Sequence, residues 1–179
     1  MKAIISLLIF FVGFHLFAQE DQTVVPVDPE TGIIKFQEVV DEPGTQEKLF
    51  NRCIYWLNDY YANPTRVTTI RDFNTGRIEG KHNFRIYHFT EDSVKTLAGT
   101  VDYVFDIEFK KDKYRYTITN LKLRSKTRLP VEKWLNKNDP EYNEQWDNYL
   151  QQMAVFFEEW SSNLKTRMKP EVEKTDDDW

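Results

Sequence analysis

Hydrophobic and polar residues alternate along the middle of the chain in a pattern typical of β-strands. Apolar side chains fill every second position of one run: Val101, Tyr103, Phe105, Ile107 and Phe109. A period of two with β-branched and aromatic residues predicts a strand with one buried face. The polar stretch 110–113 turns the chain, and the alternation then resumes. We therefore predict a hairpin that pairs Phe109 with Tyr114 and, on the wet face, Glu108 with Arg115.

The second strand of this hairpin contains an irregularity. Its apolar positions are even-numbered up to Ile118 and odd-numbered at Leu121 and Leu123. One extra residue near Thr119–Asn120 would keep all of these side chains on one face. The pattern thus predicts a β-bulge there, with Leu121 opposite Tyr103.

Three further strands are predicted at residues 33–40, 67–73 and 77–89. The turn between the last two has the sequence Asn-Thr-Gly, which is typical of tight turns. Gly80, inside the third of these strands, indicates a bulge or a close approach by the covering helix. We interpret residues 90–98 as a polar connection with room for one helical turn.

Two segments have the three-to-four-residue spacing of an amphipathic helix. The first follows Thr45, a suitable N-cap, and ends before Pro64, because the residue preceding a proline is driven out of helical geometry. The second is predicted to begin at Asp139–Pro140. If it continues to Met168 it has about 29 residues, a length of ~43 Å that would overhang a typical strand.

Together these elements predict an α+β fold in the order β-α-β-β-β-β-α. An antiparallel five-stranded sheet packs against the long C-terminal helix. A short polar stretch before that helix, around Trp134 and Leu135, is expected to contain a short helical segment.

The ends of the chain differ in composition from its centre. Residues 1–18 combine a positive start with an apolar run, which is typical of a secretory signal cleaved after Ala18. A retained N-terminal anchor is the alternative. The remainder divides into an irregular leader (19–31), a single α+β domain (32–168) and an acidic tail with too few apolar residues to fold (169–179). We expect an exported protein, periplasmic or extracellular, with no membrane span after signal removal.

The overall composition narrows the function classes. The chain of 179 residues has a formal net charge of −5, which argues against a sequence-independent nucleic-acid binder. Cys53 is the only cysteine, so no disulfide can form within the chain and the core must hold the fold together.

Residue patterns for catalysis or metal binding are weak. His82 and His88 share one strand parity but lie about 20 Å apart along an extended strand, too far for one zinc ion. Cys53 falls on the apolar stripe of the first helix, where a cysteine is usually a small buried hydrophobe. We predict no catalytic residue, no metal site and no cofactor. A hydrolase remains the third hypothesis, and it would need a cleft joining one histidine to a carboxylate and a hydroxyl.

Two groups of side chains are candidate binding sites. The first, called the docking strip, stands out in an acidic chain and comprises Lys122, Arg124, Lys126 and Arg128. It is either a solvated strand end or a docking site for an acidic partner or a phosphate head group. The second group, called the ligand-lining set, is aromatic and comprises Tyr103, Phe105, Tyr116, Trp146 and Trp160. These side chains either belong to the core or line a cavity for a small apolar, lipid-like ligand.

Several local motifs occur within residues 31–125. They are Glu38-Val39-Val40 followed by Pro43-Gly44, Leu49 to Trp56, Gly76 to Gly80, and Lys113-Tyr114-Arg115-Tyr116. In these motifs the chain resembles an uncharacterised family of secreted bacterial domains described as having a TATA-binding-protein-like fold. The resemblance implies a fold and an exported location, and it implies no activity or catalytic residue. It is not an argument for DNA binding, because one fold hosts many functions.

The leading functional hypothesis is a non-enzymatic binding or interaction module of the bacterial envelope, whose partner is an envelope protein. The alternative is a carrier of a small apolar ligand held between the sheet and the C-terminal helix. The oligomeric state remains open.

Overall fold

The computed structural model describes residues 24–90, 94–124 and 128–170. The predicted signal segment, the first five residues of the leader (19–23), Lys126 and nearly all of the predicted acidic tail lie outside the described residues.

The sheet is antiparallel and has the strand order β1-β5-β4-β3-β2, with the two-residue strand β6 paired to β5. The strands are β1 (Phe36–Asp41), β2 (Thr68–Asp72), β3 (Arg77–Phe89), β4 (Lys95–Lys110), β5 (Lys113–Leu123) and β6 (Leu129–Pro130). The helices are α1 (Gln46–Tyr60), α2 (Pro64–Val67) and α3 (Gln145–Arg167), with a 3-10 helix at Val131–Leu135. The predicted α+β architecture is therefore confirmed, and α2 and β6 are additions to it.

The central hairpin has the predicted register. Phe109 pairs with Tyr114, and Glu108 pairs with Arg115, whose Nε donates to the Glu108 carboxylate at 2.9 Å. The predicted bulge is also present in β5. The two residues Asn120 and Leu121 together face the single residue Tyr103 of β4.

The bulge depends on the conformation of one residue. Asn120 has φ of 56°, in the left-handed region that asparagine tolerates better than most residues. Beyond it Leu121 is again buried, and Val101 pairs with Leu123. The left-handed backbone conformation of Asn120 therefore accounts for the change from even-numbered to odd-numbered apolar positions in the sequence.

The prediction of a polar connection at residues 90–98 is wrong for residues 95–98, which belong to strand β4. Strand β4 begins at Lys95, and its pairing with β3 reaches Phe89 opposite Lys95. A polar strand is stable here because the two backbones satisfy each other's hydrogen bonds and because Lys95 Nζ lies 3.9 Å from the centre of the Tyr87 ring. No helical turn occurs in the described residues of this connection.

Helix α1 begins as predicted. The Thr45 hydroxyl accepts a hydrogen bond from the Lys48 backbone N–H at 3.2 Å, which caps the first turn. The helix ends at Tyr60, and Asn63 then caps the short helix α2 by accepting from the Arg66 backbone N–H at 3.1 Å. Strand β2 consequently begins at Thr68.

Helix α3 begins later than predicted, at Gln145. The Asp139 carboxylate accepts from the Glu141 backbone N–H at 2.9 Å, and the Asp139 carbonyl accepts from the Tyr142 N–H. Asp139 therefore organises a turn instead of a helix start, because the same side chain serves either purpose. With 23 residues α3 is about 35 Å long, so most of the predicted overhang disappears.

The core lies between one face of the sheet and helices α1 and α3. The alternating side chains of β4 that face it are at most 2% exposed, whereas the intervening ones are partly exposed. Gly80 provides the space for one of these side chains. A Cβ at Gly80 would lie 2.2 Å from Cζ of Phe105, so the close approach comes from the neighbouring strand and not from the covering helix. The predicted alternative, a bulge, lies on the partner strand: β2 is irregular between Thr68, which pairs with Gly80, and Ile70.

A buried hydrogen-bond chain links α3 to the sheet. Trp160 Nε1–H donates to the Tyr61 hydroxyl at 2.8 Å, and the Tyr61 and Tyr103 hydroxyls are 3.2 Å apart. The Tyr114 hydroxyl, in contrast, is buried without a hydrogen-bond partner among the described residues.

Removing the hydroxyl of Tyr114 and removing that of Tyr61 should have opposite effects on stability. We expect Tyr114→Phe to leave the free energy of unfolding unchanged or to raise it by up to about 1 kcal/mol, because it removes an unsatisfied polar group. We expect Tyr61→Phe to lower it by about 1–3 kcal/mol, because Trp160 Nε1–H loses its acceptor. Urea denaturation of both variants measures the difference. Equal losses in the two variants would contradict this hydrogen-bond assignment.

Glu38 fastens α3 to strand β1. Its Oε2 accepts hydrogen bonds from the Tyr116 hydroxyl at 2.7 Å and from Lys165 Nζ at 3.0 Å. The Tyr116 hydrogen bond in particular holds the pKa of the Glu38 carboxyl below its usual value, against the opposing effect of partial burial.

A lowered pKa in the folded state predicts stability that is present at neutral pH and lost on acidification. We expect wild type to be more stable than Glu38→Gln at pH 6, by at most about 1 kcal/mol for a half-exposed pair. The gap should narrow as the pH falls below 4.5 and should close below the lowered pKa of Glu38, because the wild-type carboxyl is then protonated too. Thermal unfolding at pH 6 and pH 3 tests this. Glu158→Gln, whose carboxylate has no partner among the described residues, is the control. A gap at pH 3 as large as the gap at pH 6 would contradict the prediction.

Candidate ligand-binding surface

A concavity of about 540 Å³ opens where strands β3, β4 and β5 meet helix α2. Most of the residues that line it are polar or charged. We call it the basic concavity, after five cationic residues in its lining: Arg66, Lys81, Lys122, Arg124 and Arg128.

The sheet register aligns three polar side chains across the concavity. Asn83 on β3 pairs with Asp102 on β4, and Asp102 pairs with Lys122 on β5. Neighbouring strands are about 4.8 Å apart, so these residues form a row of amide, carboxylate and ammonium groups. Lys81 lies two residues from Asn83 on β3, opposite Val104.

The bulge in β5 decides which side chain completes this row. Without the extra residue, the pairing of Val104 with Thr119 would continue to place Leu121 opposite Asp102. The bulge instead turns Leu121 into the core, where it is 1% exposed, and brings Lys122 opposite Asp102. The irregularity that protects the core therefore also builds the concavity.

Two other segments supply arginines. Arg66 lies on α2, which is fixed by the Asn63 cap. Arg128 directly precedes β6, which returns to pair with the end of β5. Both side chains are exposed.

The charges of the concavity are unbalanced. Among the described residues that line it, Asp102 is the one acid, and Arg124 forms an ion pair with it. This hydrogen-bonded carboxylate raises the pKa of Arg124. Arg66, Lys81, Lys122 and Arg128 make no ion pair with any residue that the structure describes. The basic concavity thus retains four cations that no described carboxylate neutralises.

Farther along the same sheet face, two arginines are paired with carboxylates. Arg77 Nε donates to the Asp106 carboxylate at 2.9 Å, and Arg115 contacts Glu108. The basic concavity differs from that region in that four of its cations have no ion-pair partner among the described residues.

The docking strip predicted from the sequence lies largely in this concavity. Its members Lys122, Arg124 and Arg128 all line the surface, and Lys126 is outside the described residues. Arg66 and Lys81 also line the concavity but were not predicted, because they are distant from the strip in the chain. The strand parity of Lys81 indicated which face of the sheet it lies on, but the sequence near Lys81 does not show that β3 pairs with β4. Docking of a partner to the strip remains a prediction.

The ligand-lining set is only partly brought together. The centroid of the Trp160 ring lies 5.8 Å from that of Phe105 and 5.7 Å from that of Tyr116. Tyr103 is linked to Trp160 indirectly, because both hydrogen-bond the Tyr61 hydroxyl. Trp146 lies near the other end of α3, 5.8 Å from Tyr142. All five are at most 8% exposed. Their role as a ligand lining remains a prediction.

The residues considered for catalysis or metal binding are in buried or separate positions. Cys53 is fully buried, and burial raises the pKa of its thiol. His82 packs against the Tyr61 ring at 4.9 Å, and burial lowers its pKa. Within the described ranges, no three residues among His, Cys, Asp and Glu are grouped so that they could hold a metal ion. The described helices include none that is both long and apolar enough to cross a membrane.

Comparison with known proteins confirms the family resemblance. Residues 36–124 match the family described as a domain of unknown function (DUF4468) with TBP-like fold, so this segment is a domain of that family. The comparison with curated proteins found no match.

Two solved structures share the fold. A DUF4468 family protein from Bacteroides ovatus superposes with a TM-score of 0.65 at 13% identity, covering 84% of this chain and 94% of the other. A TBP-like protein from Parabacteroides distasonis has a TM-score of 0.65 at 11% identity, with coverages of 81% and 97%. At these identities the likeness concerns the fold alone.

Proposed function

We propose that this protein is an exported, non-enzymatic binding module of the bacterial envelope and that the basic concavity is its ligand-contacting surface. One observation carries the proposal. In a chain with a net charge of −5, four cations without a described ion-pair partner, from four separate segments of the fold, converge on one concavity. Unpaired charges of one sign in a concave site raise the local concentration of oppositely charged ligands.

The export proposal is supported by the first eighteen residues, which have the composition of a secretory signal. The carrier hypothesis has less support. The aromatic rings between the sheet and α3 contact one another at centroid distances of 5–6 Å, typical of a packed core, with Trp56 and Trp160 5.1 Å apart.

A charge-removal pair of variants tests the proposed surface. The site variant is Arg66→Gln, Lys81→Gln and Lys122→Gln. The control variant is Lys110→Gln, Lys111→Gln and Lys113→Gln, which removes the same charge from the exposed turn between β4 and β5 at the other end of the strands. Three anionic probes are titrated into each protein by thermophoresis: a heparin tetrasaccharide, inorganic tripolyphosphate and a hexaglutamate peptide.

We expect wild type to bind at least one probe saturably at physiological salt. The site variant should bind it at least about tenfold more weakly, since one charged hydrogen bond is worth about that factor, and the control variant should match wild type. Failure of all three probes to bind would contradict the proposal, as would an equal loss in both variants.

A further inference from the structure

We propose that the basic concavity recognises an anionic saccharide, meaning a sugar that carries a carboxylate, sulfate or phosphate group together with free hydroxyls. This inference rests on the proposed function, because it names the ligand class of the same surface.

The unpaired cations require an anionic group on the ligand. Lys81 and Lys122 lie on β3 and β5, on either side of β4, and Arg66 and Arg128 add guanidinium groups from α2 and from the start of β6. A guanidinium can bind a carboxylate, sulfate or phosphate through two parallel hydrogen bonds, and an ammonium adds a point charge. The cationic part of the site is therefore suited to oxyanions.

The carboxylate of Asp102 favours a ligand that carries hydrogen-bond donors in addition to its negative charge. Its carboxylate lies in the central strand, directly between Asn83 and Lys122. A carboxylate only accepts hydrogen bonds and repels another anion, so a ligand group placed against Asp102 must donate. A hydroxyl group does so. Arg124 pairs with this carboxylate but leaves some of its lone pairs free to accept hydrogen bonds, and a purely anionic ligand would use none of them.

The amides fit the same ligand. Asn63, Asn83 and Asn120 also line the concavity, and each amide can both donate to and accept from a hydroxyl group. The row of Asn83, Asp102 and Lys122 therefore offers hydroxyl-binding groups and an anion-binding group one strand spacing apart, about 4.8 Å. Substituents on a single sugar ring have a comparable separation.

The size and polarity of the concavity agree with this class. Its volume of about 540 Å³ falls within the ~300–1,000 Å³ of small-molecule sites. Unlike most such sites, it has few apolar lining residues, so it offers little to a lipid-like molecule. A polar ligand of one or two sugar units matches both properties.

Isothermal titration calorimetry with three probes tests the inference. The first probe, a heparin tetrasaccharide, is an anionic sugar with free hydroxyl groups. The second, maltotetraose, is a neutral sugar, and the third, inorganic tripolyphosphate, is an anion that is not a sugar. We expect wild type to bind the heparin tetrasaccharide at least about tenfold more tightly than either of the others.

Two substitutions separate the possible modes of binding. Lys122→Gln should weaken binding of the heparin tetrasaccharide by about tenfold, whereas Lys111→Gln, on the distant turn, should not change it. Asp102→Asn should also weaken this binding, because the hydroxyl groups lose a charged acceptor. For a simple anion site the sign is opposite, since Asp102→Asn removes a repulsive charge and frees Arg124. Circular dichroism confirms that each variant is folded.

Tighter binding of tripolyphosphate that increases further in Asp102→Asn would overturn the inference while leaving the proposed function intact. Equal binding of maltotetraose and the heparin tetrasaccharide would also overturn it, because the cations would then have no role. In the thermophoresis experiment above, binding of hexaglutamate alone would assign the surface to an acidic protein partner and would likewise reject the saccharide.

Discussion

Replacing Trp160 with alanine is expected to lower the free energy of unfolding by about 3–5 kcal/mol, a large fraction of the ~5–15 kcal/mol of an ordinary domain. Trp160 is 0% exposed and lies where α1, α3 and the sheet meet. Its indole packs edge-on against Trp56 at 5.1 Å, and its Nε1–H donates to Tyr61. The substitution would leave a large cavity and also deprive the Tyr61 hydroxyl of its donor.

Guanidinium chloride denaturation followed by circular dichroism measures this loss. Tyr55→Ala is the matched control, because Tyr55 is an aromatic residue on α1 that is 70% exposed, and it should change the stability by less than about 0.5 kcal/mol. A loss below about 1 kcal/mol for Trp160→Ala would mean that α3 does not cover the sheet as described.

Gly80→Ala is expected to have the second large effect, a loss of about 1–3 kcal/mol or more from overpacking. The added Cβ would lie 2.2 Å from Cζ of Phe105, a side chain that is itself 0% exposed on the central strand. Neither group can move aside, since the ring is enclosed by Trp160 and Tyr61, at centroid distances of 5.8 and 6.0 Å, and the backbone of Gly80 is fixed in the sheet.

Gly99→Ala provides the comparison for this substitution. Its added Cβ would meet Cδ1 of Leu123 at 2.7 Å, the end of a flexible side chain that can rotate away, so its cost should be smaller. Shortening the opposing ring with Phe105→Leu should make the double variant with Gly80→Ala less destabilised than the sum of the two single variants. Additive losses in thermal unfolding would contradict the close contact between Gly80 and Phe105.

The strand pattern allowed much of the sheet to be predicted because alternation is a local property. The run from Val101 to Phe109 and the parity change after Ile118 determined both the hairpin register and the bulge. The start of α3 could not be predicted in the same way. An aspartate followed by a proline is equally suited to a helix start and to the turn that Asp139 forms, and only the surrounding contacts decide between them.

The candidate site was predictable only in part, for a related reason. Lys122, Arg124 and Arg128 are close in sequence and stand out in an acidic chain. Arg66 and Lys81 join them only through the position of α2 and the pairing of β3 with β4, which depend on contacts between distant parts of the chain. The candidate site contains no recognisable catalytic motif, and its distinguishing feature is an excess of cations, which becomes visible only in the folded chain.

The central claim is that the basic concavity holds the ligand, and native mass spectrometry of protein purified from the envelope of the original host tests it most directly. Wild type, the site variant and the control variant defined above are compared. We predict a stoichiometric adduct on wild type and on the control variant that dissociates on denaturation and is absent from the site variant. A bare protein in all three samples, or an adduct that persists in the site variant, would contradict the claim.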